Sequence, residues 1–465
     1  MLGRRDVDPP QSWRSVSLGE YSLWHDPNVP ISHAATEESR LIFIGRAVDP
    51  YSGLGDQRVI ANRLAIGVRN GTFLDLLDQL TGRFVVIIID AEGPKVFQDA
   101  TGTRTVFYSL GVVASHSGLA TGDRSQPSSD TERLWQDVNA STSSVRYLPG
   151  LANPYPDVRP LTPNTFLNLA QGTVERFWPR ASRSENPELD SVVAEVSEIL
   201  AESARLFASQ WSLAASLTAG LDSRLSLAAA RAVAGEMEFF SIMRMEDPHP
   251  VHVVDLEVAR DICEQFDLVH RTFDRGVDAR GENYDEFSAV WRANLVTPRG
   301  NPTLIKGYID RWPKSLTHLR SNVAETGRAF YKGERLESAE PEGLARRWNR
   351  HMSDDDRVVQ HFAEFCDVTQ FNDDNMFGYD PLDLFYWEHR MGVWHAWLCL
   401  EADMAHETLT VYNNRRLLMT MLEAPFDSRV SATVFHRAIA VLWPALSSWP
   451  INPKEWQREG PEPSR

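Results

Sequence analysis

A chain of 465 residues is long enough for two or three domains, each with its own buried core. Apolar residues make up 42% and charged residues 24%, ordinary globular values, and no uninterrupted apolar run approaches the about eighteen residues of a membrane span. A formal net charge of −17 repels phosphate backbones at long range, so neither a membrane nor a nucleic acid is an expected partner.

Met1-Leu2-Gly3-Arg4-Arg5-Asp6 is charged at once and leads into Pro9 and Pro10 without the apolar stretch of a signal peptide, which predicts a cytoplasmic protein. From Arg40 to about Leu119 short apolar runs alternate with turn residues. Leu41 to Gly45, Gly82 to Asp90 and Lys95 to Phe97 read as buried strands, with Glu92-Gly93 at hairpin spacing and a second polar turn over Asp99 to Arg104. Thr121 to Ser144 is rich in Ser, Thr and Asp and reads as a mobile loop or connector. A turn-rich passage then runs to Arg176-Phe177-Trp178-Pro179, and the domain boundary is placed after it, giving domains 1–180 and 181–465.

Beyond the boundary the period changes. Leu189, Val192, Val193, Val196, Ile199 and Leu200 recur at helical spacing. The expected order is helix 187–208, strand 211–217, helix 223–234, strand 238–243, helix 255–266 and strand 268–273, a parallel sheet wrapped by helices, followed by a mainly helical remainder. Cys263, Cys366 and Cys399 lack metal or redox spacing and read as buried free thiols. The tryptophans clustered between Trp387 and Trp397 fit a thick core or a large apolar pocket.

Ser216-Leu217-Thr218-Ala219-Gly220-Leu221-Asp222-Ser223-Arg224 closes a buried strand and opens a helix. At such a junction small residues let backbone amides approach an anion, and the helix terminus adds partial positive charge. Thr218 and Ser223 add hydroxyls, and Asp222 makes sense beside phosphate as a magnesium ligand. The plainer reading is a capped helix start. The segment resembles the Ser-Gly-Gly-x-Asp-Ser loop of the ATP pyrophosphatases, with Leu217 and Arg224 nearer the asparagine-synthetase branch; Thr218 and Ala219 replace the usual Ser and first Gly.

The resemblance continues through Phe239 to Met243 and through Asp255 to Ile262, the acidic start of the following helix. It implies that Leu217 and Ile242, at neighbouring strand ends, sandwich the adenine. Arg320 to Tyr331 is similar to a second family loop. There Ser321 borders the nucleotide, Glu325 falls on the metal-binding Asp, Tyr331 falls on the closing Tyr, and Asn322 replaces a Glu that assists amine deprotonation. An exposed loop acid is the alternative for Glu325. Glu401 matches a helix Glu and is either a general base or the buried partner of Arg415 or Arg390, while Lys454 is placed like a late Lys that neutralises departing pyrophosphate, or is a surface lysine.

In the amino half, Gly82-Arg83-Phe84 through Asp90, then Asp99, Gly102, Arg104, Phe107 and Tyr108, resemble class II glutamine amidotransferase domains. That reaction needs an amino-terminal cysteine, whereas this chain begins Met1-Leu2 and its first cysteine is Cys263. The resemblance thus implies an α/β protein with a β-rich, Ntn-hydrolase-like sandwich that has lost its glutaminase, joined to an adenine-nucleotide α-hydrolase-like parallel sheet with a helical extension. It implies an AMP-forming ligase that uses ATP and Mg2+ to adenylate a carboxylate for attack by an amine. Like β-lactam synthetases and lasso-peptide cyclases, it would act within one small-molecule or peptide substrate, with biosynthetic partner proteins as possible company. The alternatives are a non-catalytic ATP-binding or scaffold homologue and an ammonia-dependent synthetase.

Overall fold

The computed structural model describes all residues except 5–9, 11, 122–125, 142–144, 185–186, 275–282, 296, 298–301, 314, 333–335, 337 and 455–465. Among the described residues no helix is long and apolar enough to cross a membrane. The protein is mixed α/β, with two antiparallel sheets in its first 176 residues and one parallel sheet further on.

The first antiparallel sheet runs Arg159–Pro160, Phe107–Ser109, Val112–Ala114, Leu2–Arg4, Tyr21–His25, Arg14–Leu18 in spatial order. The second runs Thr173–Arg176, Thr165–Asn168, Gly93–Gln98, Thr81–Asp90, Arg40–Val48, Ile31–Ala35. The two pack face to face around Leu2, Leu23, Val85, Ile87, Val96 and Val113. Thr81–Asp90 is apolar without a break from Phe84 to Ile89 because both its faces are covered there: Val85 and Ile87 point to the partner sheet, while Phe84, Val86 and Ile88 join the larger core. Its hairpin to Gly93–Gln98 pairs Asp90 with Gly93, so the turn residues are Ala91-Glu92, one earlier than the sequence suggested, and Gly93 takes φ +107°.

Two helices correct the reading of this half as strand and loop. Gln57–Asn70 buries Ile60, Ala61, Leu64 and Ala65, and Asp56 caps its first turn through the Arg58 and Val59 amides. Ser129–Ala140 lies in the stretch expected to be a connector; Ser128 caps it, and Leu134 and Val138, four residues apart, anchor it.

The parallel sheet has the order Val269–Asp274, Glu238–Met243, Ser212–Ser216, Leu316–Leu319, Thr408–Leu409. The helix Leu189–Gln210 leads into its first strand, and Leu221–Ala229 and Pro250–Gln265 connect the first three strands. In chain order the strands are 3-2-1-4-5, so the direction of winding reverses between Ser212–Ser216 and Leu316–Leu319, and the loops leaving the carboxyl ends of these two strands part to opposite faces. The expected strands of this sheet before residue 275 fall within one residue of these limits, while the expected helices 223–234 and 255–266 each miss one end by five residues. The tryptophan cluster is core: Trp387 is 0% and Trp397 2% exposed, and Trp387 donates to the Ala100 carbonyl at 2.6 Å. Trp387 and Trp394 lie on Tyr386–His395, wound as a π-helix, and Trp397 lies on the helix Ala396–Ala402 that follows. Cys263 and Cys399 are buried and Cys366 half-buried, all as free thiols.

The amino half is bonded to the carboxy half by buried polar groups. Arg176 forms a bidentate pair with Glu388, both contacts 2.7 Å, with the two side chains 5% and 0% exposed. Asn413 reaches Gly82 O, Asp99 Oδ1 and Thr103 Oγ1 through Nδ2, and its Oδ1 accepts from the Thr101 amide and hydroxyl.

Candidate active site at the reversal point of the parallel sheet

The bend after Ser212–Ser216 begins one residue late, because the Leu217 amide still bonds to Phe240 O at 2.8 Å. Thr218, Ala219 and Gly220 then turn the chain into the helix Leu221–Ala229. Gly220 has φ −72° and is needed for room: a Cβ there would meet Thr218 Oγ1 at 2.9 Å. Thr218 Oγ1 lies 3.0 Å from Ser223 Oγ and accepts from the Gly220 amide at 3.0 Å; the Ala219 amide donates to Asp255 Oδ1 at 2.9 Å. No side chain caps the helix, and its first internal bond runs from Arg224 N to Gly220 O, so the amides of Leu221, Asp222 and Ser223 face outward as donors for an anion.

Asp222 meets Glu325 across the reversal point. Glu325 lies in the 3-10 turn Asn322–Arg328, which leaves the neighbouring strand Leu316–Leu319. Arg328 Nη2 bridges the two carboxylates, 2.7 Å from Asp222 Oδ2 and 3.3 Å from Glu325 Oε1. The Tyr386 hydroxyl donates to Glu325 Oε2 at 2.9 Å, and the Tyr412 hydroxyl donates to the Asp222 carbonyl at 3.0 Å. Asp222 Oδ1 is buried without a hydrogen-bond partner. Burial pushes the Asp222 carboxyl up to about 6, with Arg328 pulling it back and Glu325 pushing it further.

Among the described residues no group of three or more His, Cys, Asp or Glu is placed to hold a metal ion alone. Magnesium carried by phosphates needs only one or two protein carboxylates, and the unpartnered Asp222 Oδ1 together with Glu325 fits that requirement, with Arg328 as the cation now between them.

The remaining candidates distribute unevenly. Ser216 ends the strand half-buried. Ser321 is 9% exposed and hydrogen-bonds Ser226 at 2.7 Å, directly behind the bend. Ile242 is half-buried near the end of its strand, but Leu217 is 1% exposed, so its side chain belongs to the core and only its peptide borders the bend. Tyr331 packs on Phe385 and Tyr386, behind Glu325, and burial raises its hydroxyl pKa. Lys454 is exposed two residues after Asn452, whose amide donates to Ala219 O at 3.0 Å. Glu401 is 2% exposed on Ala396–Ala402, where Trp291 Nε1 donates to its carbonyl. Arg415, offered as its partner, is taken by Asp78 at 3.0 Å and Asn164 at 2.9 Å, and Arg390 lies over the rings of Phe330 and Trp394.

Arg328, Tyr386 and Tyr412 escaped the sequence reading. Only Arg328 carried a signal, a cation three residues from the acid Glu325 within the same loop. Comparison with protein-family models and with curated proteins finds no match to this chain.

Proposed function

We propose that the chain is an ATP-dependent, AMP-forming carbon–nitrogen ligase of the asparagine-synthetase-like kind, acting in the cytoplasm on a small molecule or peptide that carries both a carboxylate and an amine. In this reading the amino half is an Ntn-hydrolase-like sandwich without its nucleophile, and the parallel sheet is of the adenine-nucleotide α-hydrolase kind. One observation carries the proposal: a small-residue bend with outward-facing helix amides and a half-buried aspartate, one oxygen of which is buried without a partner, stands at the reversal point of a parallel sheet, opposite a second acid.

The reaction is attack of the substrate carboxylate on the α-phosphate of ATP, release of pyrophosphate, and displacement of AMP by the amine. The Leu221, Asp222 and Ser223 amides and the Thr218 and Ser223 hydroxyls cradle the departing pyrophosphate, and Lys454 supplies further positive charge. Asp222 and Glu325 would hold magnesium, which would supply charge neutralisation for the phosphate oxygens. Arg328 then turns from the carboxylates toward the phosphates. Tyr386 holds Glu325 in place, and Tyr331 and Phe385 form the apolar wall behind it. Holding acid and amine on one substrate converts the second step into an intramolecular one.

A second reading, a non-catalytic ATP-binding homologue, is favoured by Arg328, which already satisfies both acids, and by the Ala219 and Gly220 amides, already bonded within the protein. Pyrophosphate release with candidate amine-bearing carboxylates separates the two. Release by the parent that is lost in Asp222→Ala supports the ligase; no release from the parent with any candidate, alongside retained ATP binding, supports the homologue. Release that requires added ammonia indicates the third possibility, an ammonia-dependent synthetase.

A further inference from the structure

The core between the two antiparallel sheets is not filled. A cavity of about 530 Å³ lies there, walled by Leu2, Leu23, Val85, Ile87, Val106 and Val113 from both sheets and flanked by Trp13 and Trp24. It falls in the size range of small-molecule sites, and its aliphatic walls lack contact partners on their inner side. One end is different. Where the sandwich meets the carboxy half, the lining changes to Arg46, Arg104, His116, Asp403 and Glu407.

The charges at that end are not paired evenly. Arg83, just behind the lining, pairs with both oxygens of Asp403 and with Glu407 at 3.2 Å. Arg104 Nη2 takes both oxygens of Glu407 at 3.1 Å. Both acids are thus held by Arg83 and Arg104, and among the described residues Arg46 has no carboxylate within ion-pair distance. Its contacts are the Thr317 hydroxyl at 2.8 Å and the face of Trp211 at 5.3 Å, neither of them anionic. Burial pulls the Arg46 pKa down while Glu407 holds it up, and a guanidinium keeps its charge through such shifts. Burial lowers the His116 pKa, and Asp26, which also lines the cavity, accepts from the Asn28 amide at 2.8 Å and forms no ion pair with Arg46.

An apolar hollow ending at a half-buried guanidinium that lacks an ion pair among the described residues selects one kind of occupant. We propose that this cavity is a binding site for a molecule with an apolar body and a single carboxylate, the body lying between the sheets and the carboxylate on Arg46. The inference is independent of the nucleotide reading, since the cavity shares no residue with the bend at Gly220.

The test is calorimetric titration of the full chain with octanoate, 1-octanol, octylamine and glutamine. Octanoate is expected to bind at least tenfold more tightly than 1-octanol, octylamine to bind more weakly than either, and glutamine, polar along its whole length, to bind at least a hundredfold more weakly than octanoate. In Arg46→Gln the preference for octanoate over octanol disappears while octanol binding stays; Arg46→Lys keeps it within about threefold. Val113→Phe, which fills the cavity, weakens octanoate and octanol alike, and Asp222→Asn changes neither. The proposal is overturned if the wild-type chain binds no octanoate, if octylamine or glutamine binds as tightly, or if Arg46→Gln, folded by circular dichroism, still prefers the acid.

Discussion

Asn413 offers the sharpest test of how the two halves are joined. It is 1% exposed, and its side chain serves groups more than three hundred positions away in sequence: Nδ2 is 2.5 Å from Gly82 O, and Oδ1 is 2.9 Å from both the Thr101 amide and hydroxyl. Asn413→Ala takes this partner from the Gly82 carbonyl and the Thr101 hydroxyl, while the Thr101 amide keeps Asp99 Oδ1 at 3.3 Å. At about 1 kcal/mol for each of the two groups, the lower end for an unsatisfied buried group, the loss is about 2 kcal/mol. An unfolding entropy of about 2.1 cal/mol/K per residue over 465 residues converts this to a fall in Tm of about 2 °C. Asn413→Asp is expected to cost more at neutral pH, because the new carboxylate faces Asp99 Oδ1, now 2.8 Å from Nδ2. The new acid's folded pKa rises above its unfolded value, so stability is retained below about pH 4 and lost as pH climbs through the raised pKa. Differential scanning calorimetry reads both variants. A parent that melts in two separated transitions, or an Asn413→Ala melt within 1 °C of the parent, refutes the reasoning.

His389 stacks on Phe385 at 4.9 Å, and burial lowers its pKa to about 3, so the folded state refuses a proton that the unfolded chain takes up below about pH 6.5. Stability is therefore full above that value and falls as pH drops; at pH 5 the loss is about 2 kcal/mol, which His389→Phe is expected to recover in urea midpoints compared at pH 8 and pH 5. An unchanged pH dependence contradicts this. Gly45 has φ +114°, and a Cβ there would lie 2.3 Å from Arg83 O, so Gly45→Ala is expected to cost more than about 2 kcal/mol by urea denaturation. A loss under about 1 kcal/mol would show that the strand yields. Arg328→Gln uncovers Asp222 and Glu325, and Mn2+ affinity by electron paramagnetic resonance is expected to rise at least tenfold; equal affinity in parent and variant removes Arg328 from its role as the cation between them.

Much of the parallel sheet was legible because its elements are long or fully buried. The strand at Glu238–Met243 and the helix Leu189–Gln210 follow directly from runs such as Phe239-Phe240 and the repeat from Val192 to Phe207. Leu316–Leu319 and Thr408–Leu409 were missed because four and two residues carry no period, and only their parallel pairing defines them. Gln57–Asn70 was missed although Asp56 and the spacing of Ile60 and Leu64 signalled it; the small residues Ala61, Ala65 and Gly67 give a weak apolar stripe.

In the site, local chemistry singled out Asp222 and the bend. The Arg328 contact with Asp222 spans 106 positions and exists only once the two strands lie side by side. Glu401 illustrates the converse: the sequence offered it as a helix Glu, either a base or the buried partner of Arg415 or Arg390; it is buried on its helix, but Arg415 is bound to Asp78 instead.

The most direct measurement is a crystal structure of the chain with a non-hydrolysable ATP analogue and magnesium. The account predicts the triphosphate on the Leu221, Asp222 and Ser223 amides, the cation on Asp222 Oδ1, and Arg328 turned away from both acids. A nucleotide bound elsewhere, or one that leaves Arg328 bridging Asp222 and Glu325, would contradict it.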